Sequence, residues 1–135
     1  MFETLSETVR KRVLVVEDEA NQRTLLERVL GREGFAVTAV GAVAEALETL
    51  AREGFDVALL DVLLPGQSGL SLAREITLRY PEVAVVLTSA YHLSNRQLER
   101  LDLGLVHFVD KPVDMPGLTS LLRTLGPGSP SVCAH

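Results

Sequence analysis

The sequence predicts an α/β fold, a doubly wound (βα)5 parallel sheet of five strands with helices on both faces. Three observations carry this. Short runs rich in apolar β-branched residues recur five times; segments whose apolar residues fall at helical spacing separate them; and the runs are continuous rather than alternating, as strands buried on both faces require.

The first strand, 13–16, reads Val13-Leu14-Val15-Val16 and ends in Glu17-Asp18. A helix over 21–32 follows, with Leu25, Leu26, Val29 and Leu30 on one face and Gly34 punctuating its end. The second strand is 36–40. The second helix, 43–53, turns Ala46, Leu47 and Leu50 inward and stops at Gly54. The third strand, Val57-Ala58-Leu59-Leu60, ends in Asp61 and enters the turn Val62-Leu63-Leu64-Pro65-Gly66. The third helix, 69–79, uses Leu72, Ala73 and Ile76 and closes before Pro81. The fourth strand, 83–87, leads to Ser89; a more polar helix over 93–102 comes next. The fifth strand, 106–109, leads to Lys111-Pro112, and the last helix, 115–125, carries Leu118, Leu121, Leu122 and Leu125. Residues 1–11 read as an N-terminal extension whose basic run Arg10-Lys11-Arg12 is a solvated flank, 12–125 as the domain, and 126–135, Gly/Pro/Ser-rich at the start, as a flexible tail.

A chain of 135 residues is one domain large enough for a real core. No apolar stretch approaches the roughly 20 residues of a membrane span, and the polar start lacks the apolar region of a signal peptide. The single cysteine, Cys133, rules out an internal disulfide and agrees with a reducing compartment. A cytoplasmic location is the expectation. The net charge of −5 gives no general attraction to nucleic acid or anionic lipid, so neither direct DNA binding nor membrane attachment is expected.

Parallel strands joined by right-handed crossovers gather their carboxyl ends on one edge. Glu17, Asp18, Asp61, Ser89 and Lys111 therefore converge where open α/β sheets do their chemistry. Three crowded carboxylates repel unless a cation sits among them, and hard oxygen ligands select Mg2+ or a similar divalent ion. Of 13 basic residues only Lys11 and Lys111 are lysine, so a lysine at this edge reads as a compact point charge for an anion such as phosphate.

These residues resemble the receiver domain of two-component response regulators over about residues 12–125. The resemblance rests on Glu17-Asp18, on Leu60-Asp61-Val62-Leu63-Leu64-Pro65-Gly66-Gln67-Ser68-Gly69, on Leu87-Thr88-Ser89-Ala90-Tyr91 and on Phe108-Val109-Asp110-Lys111-Pro112, with intervals of 43, 28 and 22 residues between Asp18, Asp61, Ser89 and Lys111. It implies a flavodoxin-like sheet of order 2-1-3-4-5. It also implies that Asp61 is the phosphoacceptor, taking its phosphoryl group from a sensor histidine kinase or a histidine phosphotransfer protein. Asp18, Asp61 and the backbone carbonyl of Leu63 would hold Mg2+, Glu17 would reach it through water, and Lys111 would balance another phosphoryl oxygen. Ser89 and Phe108 would form the switch, carrying the change to the face of the fourth helix, fifth strand and fifth helix, where a downstream effector protein docks. The Lys111-Pro112 bond would be cis.

Ser89 stands where threonine is commoner in that family; Thr88 is the alternative hydroxyl donor, disfavoured because adjacent strand residues point to opposite faces. Phe108 replaces a frequent tyrosine and can turn inward without burying a hydroxyl. Leu63 and Tyr91, two residues beyond the acceptor and the hydroxyl donor, flank the approach of a hydrolytic water; leucine cannot orient it, which implies a long-lived phosphorylated state.

Other readings fit less well. A flavodoxin-type cofactor site needs a hydroxyl-rich phosphate loop after the first strand, where this chain has Glu17-Asp18-Glu19. A haloacid-dehalogenase-type phosphatase needs a second Asp where this chain has Leu63. Gly66 and Gly69 mark a turn and a helix start, not a dinucleotide fingerprint. His92 and His107 read as isolated surface or loop residues. The serious alternative is an interaction-only pseudoreceiver that is never phosphorylated, against which stands the intact set of five edge residues.

Overall fold

The computed structural model describes residues 10–64, 68–90 and 106–125. Among them lie β1 (Arg12–Val16), α1 (Ala20–Arg32), β2 (Ala36–Val40), α2 (Val43–Arg52), β3 (Val57–Asp61), α3 (Gly69–Arg79), β4 (Ala84–Ser89), β5 (Val106–Asp110) and α4 (Met115–Thr124). The expected helix over 93–102 falls outside the described residues. All five strands pair in parallel in one sheet of order β2-β1-β3-β4-β5, the order the resemblance implied.

Strand alternation divides the core into two layers. Val13, Val15, Val57, Leu59 and Val86 face one side and meet Leu26 and Leu30 of α1 and Leu118 and Leu122 of α4. Leu14, Val16, Ala58, Leu60, Val85 and Leu87 face the other, against Val43, Ala46 and Leu50 of α2 and Leu72, Ala73 and Ile76 of α3. β3 is buried along its whole length, whereas edge strand β2 is half-buried throughout. Each fully buried leucine or isoleucine here contributes about 1.5–3 kcal/mol by removal from water. Asp61 is therefore mounted at the end of a strand buried along its whole length, at the centre of the sheet.

Helix ends follow local chemistry. Glu19, Ser68 and Asp114 cap α1, α3 and α4 by accepting from the backbone N–H groups of Gln22, Leu70 and Gly117. After α1 the chain reverses at Gly34, whose φ of +99° a side chain would strain, while the N–H of Phe35 returns to the carbonyl of Leu30. The basic run before β1 differs from the expected solvated flank. Lys11 donates through Nζ to the carbonyls of Leu122 and Arg123, satisfying the open end of α4, and Arg12 pairs with Glu53 while lying over the Phe55 ring. Only Arg10 of the three is exposed.

Candidate functional site

The parallel ladder carries past the end of β1: the N–H of Glu17 donates to the carbonyl of Val40 at 3.0 Å, fixing the first acidic residue beside the end of β2. The Glu17 side chain is folded inward and buried, and its Oε2 accepts from the N–H of Glu19 at 3.2 Å. Asp18 is exposed. Asp61, at the end of β3, is 8 % exposed, and one carboxylate oxygen from each of Glu17, Asp18 and Asp61 lies within 4.8 Å of the others. Lys111, one residue past β5, closes the cluster: its Nζ donates to Asp61 Oδ2 at 2.6 Å and lies 3.7 Å from Glu17 Oε1. The Lys111-Pro112 peptide is cis.

The electrostatics follow from this crowding. Burial pushes the Glu17 carboxyl above its ordinary value; the Glu19 N–H and the Lys111 ammonium oppose that, and the charges of Asp61 and Asp18 add to it. For Lys111 burial acts downward, but the hydrogen bond to Asp61 and the charges of Asp61, Glu17 and Asp18 outweigh it, so its ammonium is held more tightly than usual. Three carboxylates against one ammonium leave an excess of negative charge, and their hard oxygens are a donor set that a divalent cation such as Mg2+ would satisfy.

Local backbone geometry holds Asp61 in place. Its Oδ1 accepts from the N–H of Leu63 at 2.9 Å, Val62 donates its N–H to the carbonyl of Thr88, and Gly69 donates its N–H to the carbonyl of Val62 at 2.8 Å. Gly69 begins α3 directly beneath the acceptor: a Cβ built there would stand 2.0 Å from the carbonyl oxygen of Asp61. The sequence reading marked Gly69 as a helix start and missed this closer constraint. Leu63, 57 % exposed, borders Asp61 in a cavity of about 620 Å³ that Leu25, Thr88, Lys111 and Met115 also line.

The two candidate hydroxyls diverge as alternation requires. Thr88 shares the face of Val86, and its Oγ1 donates to the carbonyl of Leu60 at 3.3 Å. Ser89 shares the opposite face with Val85 and Leu87, against which Phe108 of β5 also packs. Ser89 is buried and its carbonyl accepts from the N–H of Lys111 at 2.8 Å, so its backbone is tied to the lysine of the site. The structure thus brings Glu17, Asp18, Asp61 and Lys111 into one cluster and sets Ser89 and Phe108 on a common face beside it. His107 is half-buried within β5 rather than on a surface loop; Tyr91 and His92 lie outside the described residues.

Comparison with known proteins agrees with this geometry. The response regulator receiver domain family matches residues 13–123. Response regulator protein PilR of Pseudomonas aeruginosa is 40% identical over 115 residues, which cover 85% of this chain and 26% of that protein. The DNA-binding transcriptional regulator NtrC of Escherichia coli is 33% identical over 111 residues, 82% of this chain and 24% of that one. The chain thus spans about a quarter of the length of these two relatives. Among solved structures, response regulator protein TrrA from Thermotoga maritima in complex with Mg(2+)-BeF is 31% identical with a TM-score of 0.74, covering 84% of this chain and 96% of that one. A CheY-like receiver domain protein from Methanospirillum hungatei shares the fold with a TM-score of 0.78 at 24% identity, covering 84% of this chain and 91% of that one. With its sheet order, its acidic edge and a family match over nearly its whole length, the chain belongs to the receiver domains of two-component response regulators.

Proposed function

We propose that residues 12–125 form a phosphoacceptor signalling domain, acting in the cytoplasm, in which Asp61 takes a phosphoryl group from a sensor histidine kinase or a histidine phosphotransfer protein. The observation that carries this reading is the convergence of Glu17, Asp18 and Asp61 within 4.8 Å with Lys111 2.6 Å from Asp61. A carboxylate oxygen of Asp61 attacks phosphorus, an O–P bond forms, and the P–N bond to the donor imidazole breaks with the electron pair leaving on that nitrogen. The hydrogen bond from Leu63 N–H and the contact with Lys111 hold the Asp61 carboxylate at a fixed angle for that attack, an orientation effect that enzymes use to lower such barriers. Lys111 then balances charge on the transferred group. Glu17, Asp18, Asp61 and the backbone carbonyl of Leu63 would hold Mg2+, which when bound supplies positive charge against the carboxylates and the anionic donor.

Ser89 takes the role of hydroxyl donor to the attached phosphoryl group, and Phe108, on the same face, follows its movement. The outcome is a changed surface along β5, α4 and residues 91–105, read by an effector protein or by an output domain on a longer chain. Titration with Mg2+ and beryllofluoride, followed by backbone NMR, tests this. Shifts concentrated in residues 91–110 and from Met115 onward, with little change over 20–55, are expected. No binding would favour an interaction-only domain, and shifts spread evenly over the domain would count against the switch face.

A further inference from the structure

The three carboxylates of the acidic edge are not held equally. Lys111 draws Asp61 and Glu17. Asp18, the exposed member, has no such tether from a described side chain, so its position depends on the backbone that carries it. That backbone is gripped from outside by Arg23. From the first turns of α1, Arg23 Nη1 donates to the carbonyl of Glu17 at 2.8 Å and reaches that of Asp18 at 3.4 Å. The half-buried guanidinium forms no ion pair with any described residue, and its Nη1 serves both of these carbonyls. Its seat is provided by Gly41, the residue after β2: a Cβ there would stand 2.7 Å from Nη1 and 3.4 Å from Cζ.

We infer that Arg23 is a positioning residue for the metal site, a guanidinium brace admitted by Gly41 that fixes the backbone of Glu17 and Asp18 so that both carboxylates meet Asp61. This rests on the reading of the acidic edge as a Mg2+ site. The physical reason is direct. Three carboxylates within 4.8 Å repel, and the outermost one relaxes away from the others unless its peptide is held. A charged donor bonded to successive carbonyls holds the peptide without adding to the ligand set, the function that supporting groups perform around metal centres generally. A lysine ammonium carries the same charge but on a shorter side chain, so it reaches these carbonyls less well.

The test is a double-mutant cycle of Arg23→Ala and Gly41→Ala, with Arg23→Lys alongside, on the full chain. Mg2+ affinity is read by calorimetry, amide exchange at Glu17, Asp18 and Glu19 in metal-free protein by NMR, and global stability by urea unfolding. Arg23→Ala is expected to weaken Mg2+ binding about 10- to 100-fold and to speed exchange at those amides, while the urea midpoint falls little. Gly41→Ala should act in the same direction by displacing the guanidinium, and should add nothing in the Arg23→Ala background. Arg23→Lys should restore part of the loss. Wild-type affinity in Arg23→Ala, or full additivity of the two alanine variants, would overturn the brace. If the wild-type protein itself takes up no Mg2+, the metal-site reading fails instead, and the metal-free amide exchange still decides whether the brace exists.

Discussion

Replacing Gly69 with alanine should damage both the fold and the acceptor site. An added Cβ would meet the carbonyl oxygen of Asp61 at 2.0 Å, its carbonyl carbon at 2.9 Å and the Val62 Cα at 3.0 Å, all backbone atoms with no side-chain freedom to yield. The nearest contact is about 1.4 Å short of ordinary van der Waals distance. Relief requires β3 and α3 to part, yet both are fixed: Val62 N–H is bonded to Thr88, Gly69 N–H to Val62, and Ser68 caps the helix. Overpacking of this kind costs about 1–3 kcal/mol, and losing the Gly69 to Val62 hydrogen bond adds about 1 kcal/mol. A loss of roughly 3 kcal/mol corresponds to a fall in Tm of about 10–15 °C for a domain of this size. Moving Asp61 by about 1 Å should also slow phosphoryl transfer on the order of 100-fold. Urea unfolding and single-turnover phosphorylation measure the two effects. An alanine variant with wild-type midpoint and wild-type rate would refute the reasoning.

Gly31 lies inside α1 with nothing within 4 Å of its Cβ position; Gly31→Ala should therefore raise stability by up to about 1 kcal/mol, and a lower urea midpoint would contradict that. The folded pKa of Glu17 lies above its ordinary 4.5, so the carboxyl's contribution to the stability of the metal-free domain is complete below that value and is lost as pH rises through the folded pKa. Glu17→Gln should remove this pH dependence and gain on the wild type toward neutral pH in metal-free urea titrations; a constant difference across that window would count against it. Leu63 is exposed beside Asp61 and offers no hydrogen bond to a hydrolytic water; Leu63→Asn or Leu63→Glu should speed phosphate loss by about tenfold or more, and equal half-lives for variant and wild type would sink the idea.

The edge cluster was legible because strand topology alone decides it. Once β1, β3 and β5 are parallel, the residues that end them must share an edge, so Glu17, Asp61 and Lys111 needed no side-chain detail. Thr88 and Ser89 separated as their alternation required. What escaped the sequence depends on close approach between segments. Nothing in the spacing of Arg23 and Gly41 shows that a guanidinium fills the space a Cβ would take, and nothing around Gly69 shows that it lies against the Asp61 carbonyl. The run Arg10-Lys11-Arg12 read as solvated because basic residues flanking a strand usually are. Only the position of the α4 carboxyl end, more than 100 residues away in the chain, gives Lys11 its acceptors.

The most direct measurement is the intact mass of the protein after incubation with a small phosphodonor such as acetyl phosphate, in Mg2+ and in EDTA, for wild type and Asp61→Asn. One added phosphoryl group on the wild type, dependent on Mg2+ and absent from Asp61→Asn, is the expected result. Equal modification of the Asp61→Asn variant, or none of the wild type in Mg2+, would contradict the assignment of Asp61 as the phosphoacceptor.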